Sequence, residues 1–102
     1  MPQPAQPPLA VVTLRIVRSC RIPGREGLHA RPAARVVETA KRFAATITFV
    51  HGAARASAKD LMDLLSLAAS GGSVITVEAE GEDAESALRA LEDLFRAMGE
   101  GS

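Results

Sequence analysis

Val74-Ile75-Thr76-Val77-Glu78-Ala79-Glu80-Gly81-Glu82-Asp83-Ala84-Glu85-Ser86-Ala87-Leu88 changes its periodicity at Gly81. Upstream of that glycine, Val74, Ile75 and Val77 form a β-branched run suited to a pleated strand. Downstream, Ala84, Ala87, Leu88, Leu91, Leu94, Phe95 and Met98 recur at the three- and four-residue spacing of one helical face. Strand and helix each have an apolar side to bury, so the rest of the chain must supply the layer between them.

Working back from this pair, Leu14 to Ile22 alternates imperfectly, with Leu14, Ile16, Cys20 and Ile22 on one side and Arg15, Ser19 and Arg21 on the other. That predicts a first strand, which Pro23-Gly24 ends. After Pro32, the residues Ala33, Val36, Val37, Ala40 and Ala44 mark a helical face, with Arg35, Glu38, Lys41 and Arg42 opposite. Pro32 suits a first helical turn, where an N–H would lack an intrahelical acceptor. The residue before a proline resists helical geometry, so the helix start falls between Ala30 and Pro32.

Thr46 to Val50 alternates as a second strand, Gly52 suggests a turn, and a short third strand follows near Arg55 to Ser57. Asp60 stands at an N-cap position before Leu61, Leu64, Leu65 and Ala68, and Gly71-Gly72 is the expected stop of that helix. The order β-α-β-β-α-β-α argues an α+β fold, one sheet covered on one face by three helices. Periodicity leaves the strand order open.

Composition narrows the function classes. A chain of 102 residues with 47% hydrophobic content has room for one modest core. Twelve Lys and Arg balance twelve Asp and Glu, and three Phe stand without Trp or Tyr. Such a surface has neither the net charge nor the stacking platforms of a nucleic-acid binder. Cys20 is the single cysteine and has no internal disulfide partner, which suits a reducing compartment; it reads as a small core residue. Neither a membrane-length apolar run nor a signal-peptide pattern is present, so no membrane insertion and a cytoplasmic location are expected. Residues 1–13 hold Pro2, Pro4, Pro7 and Pro8 and read as a disordered tail, residues 14–98 as one domain, and 99–102 as a flexible end.

Two histidines and one cysteine so dispersed make no zinc spacing, and no nucleophile–base pair is visible. His51, between the second strand and Gly52, reads as a surface turn residue. The chemistry concentrates in Gly27-Leu28-His29-Ala30-Arg31-Pro32-Ala33-Ala34. By themselves His29 and Arg31 would be surface residues at a helix start. Their spacing, however, sets an imidazole against the free amides of Ala30 and Arg31 and the positive end of a helix dipole, where an approaching phosphoryl group would be stabilised.

This string resembles the active-site signature of HPr, the histidine-containing phosphocarrier of the bacterial phosphoenolpyruvate-dependent phosphotransferase system. Ser57-Ala58-Lys59-Asp60-Leu61-Met62 with Leu64 and Leu65, and Glu80-Gly81-Glu82-Asp83-Ala84, resemble two further landmarks of the family in the right order. The likeness runs from about Leu14 to about Met98 without an evident insertion.

The resemblance implies an open-faced two-layer sandwich with an antiparallel sheet in the order 1-4-2-3. It also implies a stoichiometric phosphoryl carrier rather than a turnover catalyst, needing no cofactor and no metal. His29 would accept the phosphoryl group, through Nδ1 by the family's habit. The Ala30 and Arg31 amides and the Arg31 side chain would contact its oxygens, Pro32 would fix the helix start, and Gly27 would permit close approach of the loop. Enzyme I is the implied donor and an enzyme IIA-type protein the implied acceptor, met by a monomer through Leu61, Met62, Leu65 and Ala34. Leu61 and Leu65 also fit a core stripe, whereas Met62 falls off it.

Alternatives within the resemblance are a nitrogen-branch carrier serving regulatory proteins and a docking module independent of phosphorylation. Three acids depart from the family's pattern. Asp60 replaces a regulatory serine that many members carry and has no hydroxyl for a kinase to modify, leaving Ser57 and Ser66 as the nearby hydroxyls. Glu38 and Asp63 stand where enteric members often have lysines facing their partners.

Overall fold

A computed structural model describes residues 14–23, 30–67, 69 and 71–100, with Ala30 and Glu100 described by backbone alone. The elements run β1 (Arg15–Arg21), α1 (Ala30–Ala40), β2 (Thr46–His51), β3 (Ala54–Ser57), α2 (Leu61–Ser66), β4 (Val74–Glu80) and α3 (Ala84–Glu100). The strands form one antiparallel sheet in the order β1-β4-β2-β3, as the resemblance implied. Central β4 pairs Arg15↔Glu80 through Arg21↔Val74 on one side and Thr46↔Glu80 through Val50↔Thr76 on the other.

Alternation sets which side chains meet the helices. Ile47 and Phe49 of β2, Ala56 of β3 and Ile75, Val77 and Ala79 of β4 are buried on one face. Ala33, Val36, Val37 and Ala40 of α1 and Ala84, Ala87, Leu88, Leu91 and Phe95 of α3 close over that core, while Leu94 and Met98 pack against it partly buried. Helix α1 packs against α2 and α3, α3 against β4 and β1, and α2 against β3. Phe49 and Phe95 meet edge to face with centroids 6.0 Å apart, an arrangement the ring quadrupoles favour. Among the described residues the buried set contains no polar or charged residue. Ile22 is 1% exposed just past β1; its N–H donates to Ser73 O and its carbonyl accepts from Gly72 N, carrying the β1–β4 pairing one step further.

Three readings of the sequence are corrected. Leu14, assigned to the buried side, is 49% exposed, because it lies at the free end of an edge strand, where Gly81 N–H donates to its carbonyl. Ala44, counted in the α1 face, is exposed beyond the helix, which ends at Ala40 in tighter turns from Arg42 N to Thr39 O and from Phe43 N to Ala40 O. Helix α2 stops at Ser66 rather than at Gly71-Gly72. Ser66 Oγ bonds Asp63 O at 2.6 Å and Leu67 N–H turns to Leu64 O, side-chain and three-residue bonds that compete with helical continuation. Ala68 lies outside the described residues.

Gly81 explains the abrupt periodicity change. Its φ is +144°, and a Cβ there would stand 2.9 Å from Ala45 Cα, so a side chain would collide with the backbone leading into β2. Cys20 is half-buried on β1; burial first and the charge of Glu92 second push its thiol pKa up, against a smaller opposing effect of Arg18. That keeps the sulfur protonated and poorly nucleophilic.

Candidate functional site

Two helices on the covered face carry the described residues that the sequence singled out. Arg31 is exposed in the first turn of α1, Pro32 and Ala34 are half-buried, and Ala33 is fully buried beneath them. Pro32 is the third helical residue, inside the turn whose N–H groups lack intrahelical acceptors. No acidic side chain occupies that turn, so nothing there opposes an anion at the positive end of the dipole. Gly27, Leu28 and His29 lie outside the described residues, as does the side chain of Ala30.

The distant end of α1 is anchored by two groups. Lys59 Nζ donates to Phe43 O at 2.7 Å, a cation at the negative end of the dipole. Asp83 then grips the turn into β2: Oδ2 accepts from Ala44 N and Oδ1 from Ala45 N, both at 2.8 Å. The amide of Ala44 above all, then that of Ala45, outweighs partial desolvation and holds the Asp83 carboxyl below its ordinary pKa. These groups fix α1 at its rear and thereby its front, where Arg31 sits. Sequence reasoning used Lys59 and Asp83 only as landmarks, since an acid before a helix reveals nothing about amides 38 residues upstream.

Helix α2 begins on Asp60, whose Oδ1 accepts from Asp63 N at 3.1 Å with extended backbone angles, as the N-cap reading expected. Asp63 Oδ2 in turn accepts from Ser57 N at 3.0 Å and ties β3 to α2. Leu64 is the core residue of this helix and Leu65 packs partly buried against the core. Leu61 and Met62 face solvent at 37% and 74% exposure. Six residues thus present a buried side and an exposed apolar side next to α1.

His51 is the last residue of β2, half-buried, with Nδ1 3.4 Å from Leu67 O, rather than a surface turn residue. Strand pairing to Ala54 carries it one position into the sheet, and Gly52 at φ +62° makes the turn instead. Among the described residues no group of three His, Cys, Asp or Glu is arranged to hold a metal. None of the described helices is long and apolar enough to cross a membrane.

The opposite face of the sheet has a shallow depression of ≈ 360 Å³ lined by Arg15, Thr46, Thr48, Arg55, Glu78 and Glu80. Glu78 occupies its floor between Arg55 at 2.7 Å and Arg15 at 3.3 Å. Its bond to Arg55 is the largest influence holding that carboxyl below the usual range. This ion triad satisfies itself and lies on the face of the sheet turned away from the helices.

Comparison with known proteins agrees with this geometry. The family described as "PTS HPr component phosphorylation site" matches residues 16–97. The phosphocarrier protein HPr of Treponema pallidum is 41% identical over 81 residues, covering 79% of this chain and 92% of that protein. Among solved structures, HPr-C-His from Thermoanaerobacter tengcongensis superposes with a TM-score of 0.79 at 38% identity, covering 83% of this chain and 96% of that one. A phosphocarrier protein HPr from Bacillus anthracis gives 0.75 at 40% identity, covering 79% and 96%.

Proposed function

The chain belongs to the HPr family of phosphocarrier proteins of the phosphotransferase system, and from that premise we propose that His29 accepts a phosphoryl group from phosphorylated enzyme I and passes it to an enzyme IIA-type acceptor. The observation that carries the reading is the placement of His29 immediately before α1, whose first turn holds exposed Arg31 and no acid.

Neutral imidazole attacks phosphorus through Nδ1: the nitrogen–phosphorus bond forms as the bond from phosphorus to the donor breaks, and the acceptor's nucleophile later reverses the exchange. The protein's contribution is position and charge stabilisation. The Ala30 and Arg31 amides and the Arg31 guanidinium meet phosphoryl oxygens, Pro32 sets the helix start, and Gly27 lets the loop approach. Met62, Leu61 and Leu65 of α2 with Ala34 of α1 form the transient docking patch, apolar enough for affinity and small enough for release.

The protein works as a stoichiometric carrier in the cytoplasm, as a monomer. The free edge of β1 carries Arg15, Arg18 and Arg21, charges that oppose edge-to-edge pairing of two copies and support the monomer reading.

Incubation with phosphoenolpyruvate and the cognate enzyme I tests the assignment. An acid-labile, alkali-stable phosphoryl adduct is expected on the wild type and on His51→Ala, and none on His29→Ala. An adduct that survives in His29→Ala overturns it.

A further inference from the structure

The docking patch differs in charge along its two helices. On α1 the exposed charged side chains are Arg31, Arg35 and Glu38, two bases and one acid, with Lys41 and Arg42 exposed in the turn that follows. Beside it, α2 opens on two acids, Asp60 and Asp63, that bracket exposed Leu61 and Met62. Both carboxylates are held in place by backbone amides, Asp60 by Asp63 N–H and Asp63 by Ser57 N–H. Neither has an ion-pair partner among the described residues. Lys59, the adjacent cation, is directed to Phe43 O at the rear of α1 and does not neutralise them. Ordered, uncompensated charges at the rim of an apolar patch are the arrangement that steers a partner and sets its register.

We propose that the protein that phosphorylates this chain presents a lysine or arginine opposite Asp60 and Asp63. The proposal rests on the phosphocarrier reading and specifies the partner surface for that same site. A donor whose contact surface is acidic throughout meets like charge at α2 and is disfavoured, so Asp60 and Asp63 act as specificity determinants rather than only as structural caps.

Isosteric substitution separates the two roles, because asparagine caps a helix about as well as aspartate but carries no charge. The double variant Asp60→Asn/Asp63→Asn is compared with wild type in steady-state phosphorylation by the organism's own enzyme I and phosphoenolpyruvate, at low and high salt. KM for this chain is expected to rise roughly fivefold at low salt with kcat unchanged, and its dependence on salt to flatten. Asp93→Asn, on the solvent side of α3, is expected to leave KM unchanged. A double variant with the wild-type melting temperature and an unchanged or lowered KM overturns the proposal. Failure of the wild type to accept phosphate at all would instead overturn the phosphocarrier reading.

Discussion

The two faces of the sheet are made from alternate residues of the same four strands and are stabilised in opposite ways. Toward the helices, β2 and β4 present Ile47, Phe49, Ile75, Val77 and Ala79, each at 1% exposure or less. Toward solvent, the intervening positions carry Thr46, Thr48, Glu78 and Glu80, with Arg15 and Arg55 reaching over from the two edge strands. One face removes apolar area from water; the other exchanges hydration for ion pairs that remain wet and salt-screened. The stability of the domain is therefore concentrated on the covered side, which is also the side that positions α1 and α2.

Truncating Phe49 to alanine should have the largest effect, because it empties the centre of the covered face and removes the contact with Phe95. A loss of about 3–5 kcal/mol is expected, measured by urea unfolding. An effect much below that would mean that the two faces are less unequal than their burial implies.

Asp83→Asn comes next and tests how the covered face is joined to the site. Asparagine keeps one oxygen acceptor but sets an amide group against a backbone N–H, so the turn at Ala44 and Ala45 loosens and the protein melts earlier at neutral pH. Since the folded pKa of Asp83 lies below its unfolded value, its contribution is complete above about pH 4 and disappears as pH falls through the folded value. Wild type and variant should therefore converge in melting temperature on acidification, and parallel curves would refute the clip.

Smallest of the three is Glu78→Gln on the open face. Although Glu78 pairs with two arginines, the triad is solvent-screened, and only a slight fall in melting temperature is expected, erased by high salt. A large, salt-insensitive loss would place structural weight on the face that burial marks as dispensable.

Where local pattern and tertiary packing agree, the elements were legible. The repeats in α1 and α3 and the switch at Gly81 identified the helices and the last strand, because every apolar side chain at those spacings except Ala44 ended against the core. Agreement failed where a local rule met a distant partner. Leu14 had the right parity but lies at the free end of an edge strand, Ala44 the right spacing but no helical turn, and α2 ended on its own serine before its glycine pair. At the site, Arg31, Pro32 and the Asp60 cap could be read directly, since their roles belong to the turn they occupy. Asp83 and Lys59 could not, because their partners are separated from them by 38 and 16 residues of chain.

Sequence alone determined the succession of seven elements, the covered faces of α1 and α3, and the motif in front of α1, all consequences of periods and caps spanning a few residues. Only the tertiary structure decided that β4 lies between β1 and β2, that a carboxylate at the start of α3 holds the turn after α1, and that α2 turns two acids and an exposed methionine outward beside α1. Those facts depend on which surfaces meet once the apolar faces have been buried together, and no short-range pattern along the chain encodes that meeting.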